Sequence, residues 1–109
     1  MTQWIEACRL DQIPPLGARV LPLPHGNISL FRTSDDQVFA LADKCPHRDG
    51  PLSQGIVHGH SVTCPLHDWV IDLRTGKAAE PDIGCTNTYK VRIENGVVMV
   101  SSAPATAAA

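Results

Sequence analysis

Aromatic side chains are scarce in this chain: two Trp, two Phe and one Tyr among 109 residues. So short a chain has room for one domain and one modest core. No apolar run approaches the roughly 20 residues that cross a bilayer, so no transmembrane helix is expected. The opening residues M-T-Q-W-I-E-A-C carry no basic flank and no long apolar stretch, which is unlike a secretory signal. The expected location is therefore the cytoplasm. Basic charge is not in surplus, with nine Lys and Arg against eleven Asp and Glu, a net charge of −2 and a pI near 6.2. Without a basic run, nucleic acid is excluded as an expected partner. No G-x-G-x-x-G fingerprint for a nicotinamide or flavin is present, and no Ser/His/Asp constellation can be assembled.

Turn formers, by contrast, are plentiful, with nine Pro and eight Gly. Between them lie short segments with the period-two alternation of half-buried strands. The chain reads as strands over Trp4 to Leu10, Ala18 to Leu23, Ile28 to Arg32, Val38 to Ala42, Ile56-Val57, Ser61 to Thr63, Trp69 to Asp72, Thr86 to Glu94 and Val97 to Val100. Pro14-Pro15 forbids a central strand between the first two. Asn95-Gly96 is a strong signal for a tight hairpin. Helix-period segments are missing. The expected fold is all-β: a small antiparallel sandwich or barrel of about nine or ten short strands, in a single domain over residues 1–102. Ala103 to Ala109 lacks an amphipathic face and is expected to be a disordered tail.

The chemistry concentrates in two boxes, C-P-H-R-D-G-P-L from Cys45 to Leu52 and C-P-L-H-D-W from Cys64 to Trp69. Sixteen residues, 48 to 63, separate His47 from Cys64. Each box offers one thiolate and one imidazole on a loop stiffened by Pro or Gly. Three readings of the residues compete. A two-iron, two-sulfur centre can take two Cys on one iron and two His on the other, one of each from each loop. A structural zinc takes two Cys and two His as well, but usually as C-x₂₋₄-C and H-x₃₋₅-H arms, which C-x-H fits poorly. The third reading is two buried cysteines beside incidental histidines. The remaining Cys8 and Cys85 read as small buried hydrophobes, with a Cys8–Cys85 disulfide as the alternative. His25, His58 and His60 read as solvated turn residues.

The two boxes resemble those of the Rieske family, and the resemblance runs from about Trp4 to Ser101. It implies one [2Fe–2S] cluster held in a subdomain over about 43–71. Cys45 and Cys64 would ligate the inner iron, and His47 and His67 the outer iron near the surface. High-potential members carry an additional Cys in each box, forming a disulfide between the loops, and Ser and Tyr hydroxyls after the second His. Here the matching positions are Gly50, Leu66, Trp69 and Ile71, which implies a potential at the low end of the Rieske range.

A chain with a cluster and no substrate pocket or second cofactor site is expected to move single electrons between redox proteins, with no catalytic residues of its own. Two roles follow from the resemblance. C-P-H-R-D-G-P-L-S-Q-G-I-V-H-G, H-D-W-V-I-D-L-R-T-G and P-D-I-G-C-T-N-T-Y-K-V are similar to the small subunit of assimilatory NAD(P)H-dependent nitrite reductase, whose large subunit carries flavin, a [4Fe–4S] cluster and sirohaem. The alternative is a freestanding Rieske ferredoxin feeding an aromatic-ring-hydroxylating dioxygenase. Such ferredoxins tend to have Gly where this chain has Asp68 and Phe where it has Ile71. Arg48, Asp49 and Asp68 are expected at the partner-facing tip, unless they are ordinary solvated charges. Trp69 is expected chiefly to fill the core beneath the second loop.

Overall fold

The computed structural model describes residues 4–24, 26–45, 51–65, 68–79 and 84–106, with side chains as far as Ser101. Nine strands are present among them: β1 Trp4–Arg9, β2 Ala18–Leu21, β3 Ile28–Arg32, β4 Val38–Ala42, β5 Ile56–His58, β6 Ser61–Thr63, β7 Val70–Asp72, β8 Thr88–Glu94 and β9 Val97–Thr106. The only helical pieces among the described residues are 3-10 turns at Leu10–Gln12 and Leu52–Gln54.

Six strands form one curled antiparallel sheet in the order β1-β9-β8-β4-β3-β2, and the other three form a small sheet in the order β5-β6-β7. The small sheet is inserted between β4 and β8. Leu73 and Ala78, beyond β7, pack in the same core as its strands.

Local chemistry explains the turns. Asn95 and Gly96 adopt φ of 52° and 78°. Positive φ at both central residues is what a type I′ hairpin needs, and Asn-Gly supplies it at little steric cost. The β3–β4 turn is held by Arg32, whose Nε and Nη2 donate to Asp36 Oδ1 at 3.0 and 2.9 Å. The same guanidinium donates through Nη1 to the Ile13 carbonyl at 2.8 Å, tying the Pro14-Pro15 connector to the sheet.

The strand ends depart from expectation in particular ways. β1 stops at Arg9 because Leu10–Gln12 winds into a 3-10 turn, with the Arg9 N–H donating to Gln12 Oε1 at 2.9 Å. β2 stops at Leu21, two residues early, and β8 begins at Thr88 rather than Thr86. At the C-terminus, β9 continues to Thr106, so residues 103–106, expected in a disordered tail, pair with Thr88 and Tyr89 of β8. Backbone pairing needs no apolar face, which is the feature whose absence suggested a tail. Ala107 to Ala109 lie outside the described residues.

Two cores result. Cys8, Ile13, Ile28, Leu30, Val38, Ala40, Tyr89, Val98 and Val100 fill one. Phe31, Leu41, Cys45, Leu52, Val57, Val62, Cys64, Ile71 and Leu73 fill the other. β3 and β4 divide them, with Ile28 and Leu30 facing the first and Phe31 and Leu41 the second. A strand covered on both faces buries its polar residues too: Ser29 is fully buried and donates its hydroxyl to the Leu41 carbonyl at 3.2 Å.

Candidate metal centre

Cys45 and Cys64 both lie in the second core, each 1% exposed. Cys45 follows β4 after a two-residue step. In that step the Asp43 N–H donates to the Asn27 carbonyl at 3.0 Å, and the Lys44 N–H to the Ala42 carbonyl at 2.7 Å. Cys64 directly follows β6. Its N–H donates to the Trp69 carbonyl at 2.7 Å, and the Asp68 N–H donates back to the Cys64 carbonyl at 3.2 Å. Two backbone hydrogen bonds therefore tie Cys64 to Asp68 and Trp69 and close the base of the second box in a ring. Asp68 sits in this ring at φ 59°, in the left-handed region that Gly occupies most readily and Asp tolerates.

The two arms are also braced against each other. The Asp43 carboxylate takes two hydrogen bonds from Ser53, beyond the first loop. Gly55 then passes so close to the strand bearing Cys64 that a Cβ there would run into the Thr63 carbonyl. Trp69 is half-buried and packs on the second core, as expected for a residue filling space beneath the loop.

The structure thus brings two sulfur donors into one buried apolar core, and Cys64 forms no disulfide. Burial of two thiols with no bond between them suits a metal centre that takes sulfur on its inner side. His47 and His67 lie outside the described residues, as do Arg48, Asp49, Gly50, Leu66 and His25. Among the described residues no three His, Cys, Asp or Glu side chains gather to hold a metal ion elsewhere.

The other cysteines and histidines find structural places. Cys8 is buried in the first core and forms no disulfide, which removes the Cys8–Cys85 bridge as an alternative. Burial pushes its thiol above its ordinary pKa of 9.0, against a smaller opposing pull from Arg19. Cys85 is half-buried rather than buried, and its backbone pairs with Lys77 in an isolated antiparallel β-bridge. His58 and His60 flank Gly59 at the β5–β6 hairpin tip as expected, but neither is merely solvated. His58 Nε2 lies 2.7 Å from Thr63 Oγ1. His60 packs edge-on against Phe39 with ring centroids 5.9 Å apart, and its Nε2 is 3.5 Å from Asp35 Oδ2. That contact docks the small sheet on the β3–β4 turn. The sequence held no signal for it, because the partners lie far apart in the chain.

A cavity of about 300 Å³ opens where β4 and β8 part, lined by Val38, Phe39, Leu73, Arg74, Tyr89 and Lys90 among others. Among the described residues its lining includes no Cys or His, and Phe39 and Leu73 connect it to the second core.

Residues 3–101 match the Rieske-like [2Fe-2S] domain family. The chain belongs to this family: it is a Rieske electron-transfer domain carrying a [2Fe–2S] cluster. It is 35% identical over 102 residues to the ferredoxin component of the naphthalene 1,2-dioxygenase/salicylate 5-hydroxylase systems of a Ralstonia species, covering 92% of this chain and 97% of that protein. The NMR structure of the E. coli protein NirD superposes with a TM-score of 0.81 at 29% identity, covering 94% of this chain and 98% of that one. A chain from the complex of oxygenase and ferredoxin in carbazole 1,9a-dioxygenase superposes with a TM-score of 0.86 at 25% identity, covering 94% and 96%. No helix among the described residues is long and apolar enough to cross a membrane.

Proposed function

We propose that this chain is the Rieske electron-transfer subunit of an assimilatory NAD(P)H-dependent nitrite reductase, with Cys45 and Cys64 on the inner iron and His47 and His67 on the outer. The observation that carries the reading is the second ligand loop and its exit strand, H-D-W-V-I-D-L-R-T-G. Where dioxygenase ferredoxins tend to place Gly, this chain holds Asp68 in a left-handed conformation, and Ile71 fills the second core where they tend to have Phe. The P-D-I-G-C-T-N-T-Y-K-V segment and the full-length likeness to NirD add support. The chain receives an electron from a flavin-bearing partner and passes it on. It binds no substrate itself. Arg48, Asp49 and Asp68, which adjoin the two histidines in the sequence, steer docking.

A second reading, the ferredoxin component of a ring-hydroxylating dioxygenase system, is favoured by the 35% identity to the Ralstonia ferredoxin over nearly the whole of both chains. The two are separated by recovering the tagged chain from its own host grown on nitrate. Co-purification with a large protein bearing flavin and sirohaem, and nitrite-dependent NAD(P)H oxidation, is the expected outcome. Recovery of a small brown protein alone, able to reduce a ring-hydroxylating oxygenase, would replace the first reading with the second. A colourless zinc-bearing chain would overturn both.

A further inference from the structure

Asp43 stands two residues before Cys45 and directly after β4. Its Oδ1 accepts the Ser53 backbone N–H at 2.7 Å, and its Oδ2 accepts the Ser53 hydroxyl at 2.9 Å. Ser53 belongs to the 3-10 turn Leu52–Gln54, at the far end of the segment that carries Cys45 and His47. One carboxylate therefore closes the first ligand loop at its base. Both mounting points are fixed in turn. The Asp43 N–H is bonded to the Asn27 carbonyl, and Leu52, next to Ser53, is fully buried in the core that holds both cysteines. Hydrogen bonds to an ionised acceptor are stronger than neutral ones, and two on one carboxylate set orientation as well as distance. Pinning the ends of a loop also removes most of the conformations it could otherwise sample.

We propose that Asp43 is a positioning residue for the cluster: through Ser53 it fixes where the first loop presents its ligands relative to the arm that carries Cys64. This rests on Cys45 and His47 being ligands, and is independent of which redox partner the chain serves. A clamp that only stabilised the fold would change unfolding and leave the cluster's own signals alone, so the two roles are separable.

The test compares wild-type holoprotein with Asp43→Ala, Asp43→Asn and Ser53→Ala. The readouts are the EPR line shape of the reduced cluster and the rate at which a chelator bleaches the visible absorbance. Nitrogen coupling in the wild-type spectrum checks the ligand assignment by itself, whatever the variants do. Asp43→Ala removes both hydrogen bonds and is expected to broaden the EPR lines and bleach at least about tenfold faster, a factor that even one charge-assisted hydrogen bond would supply. Asp43→Asn keeps an oxygen for the Ser53 N–H and an amide for its hydroxyl, and is expected to restore the line shape. Ser53→Ala keeps the backbone bond alone and is expected to fall between. Wild-type lines and bleaching within twofold of wild type in Asp43→Ala would overturn the proposal. Should that variant yield no holoprotein, Ser53→Ala decides: bleaching indistinguishable from wild type overturns it, and faster bleaching with broadened lines supports it.

Discussion

Ile71 and Gly55 show how much single residues decide around the cluster. Ile71 is fully buried in the second core, and it stands where high-potential relatives carry a hydroxyl. An aliphatic side chain donates nothing to a sulfur, so the extra negative charge of the reduced cluster goes without that stabilisation. The midpoint potential is expected near the low end of the Rieske range, about −150 mV. A redox titration measures it, and a clearly positive midpoint would overturn the argument. Gly55 is a steric matter, because a Cβ there meets the Thr63 carbonyl, one residue before Cys64. Gly55→Ala should cost about 1–3 kcal/mol, as overpacking does, because backbone must move rather than a side chain. Chemical denaturation of the holoprotein reads this out, and a loss under about 0.5 kcal/mol, the range of ordinary surface changes, would mean the strands adjust freely. Neither Gly55 nor the Asp43–Ser53 clamp was legible in the sequence. Both depend on the approach of segments that no local period brings together, whereas the family and its cluster are legible because the spacing within the two boxes is itself a signal.

Elements were legible where local chemistry alone decides them. The β3 and β4 limits fall where the alternation places them, and the Asn95-Gly96 hairpin forms as its dihedral preferences dictate. What the alternation of Ile28 and Leu30 against Phe31 could not show is that both faces of β3 are covered, because the cover comes from a sheet built later in the chain. The turn after β7 is a case where side chains set a pH response. Burial pushes the Asp72 carboxyl up, but the Arg74 backbone N–H at 2.8 Å and the Arg74 guanidinium at 3.4 Å outweigh it, so its pKa falls below the ordinary 3.8. A carboxyl held below its unfolded value adds stability above about pH 3.8, and that contribution disappears as pH falls through the folded value. Asp72→Asn should therefore lose less than about 1 kcal/mol at pH 7, since the pair is largely exposed. The gap to wild type should shrink as pH is lowered below 3.8. Denaturant curves at pH 7 and in acid test this, and a gap that widens in acid would reverse the sign of the argument.

At the scale of the whole molecule, the two cores differ in how they are held. The first lies within a six-stranded sheet and includes neither Cys45 nor Cys64. The second is capped by a sheet of three strands, each three residues long, and contains both Cys45 and Cys64. Strands that short are marginal without something to pack on, and a bound metal centre adds its binding free energy to the state that holds its ligands together. With Cys45 and Cys64 as its proposed ligands, the cluster would hold the second core together as well as carry the electron. Its loss leaves β5, β6 and β7 held by Val57, Val62 and Leu73, the His60–Phe39 contact and the Asp43–Ser53 clamp. Removing the cluster should unfold the molecule unevenly. Amide exchange across β5 to β7 is expected to accelerate by at least about a hundredfold in the apoprotein, while β3, β8 and β9 keep most of their protection. Hydrogen exchange on matched holo and apo samples measures both regions at once. Equal acceleration in the two would mean that β3 and β4 couple the cores into one cooperative unit, and unchanged exchange in β5 to β7 would mean that the small sheet stands without its cluster.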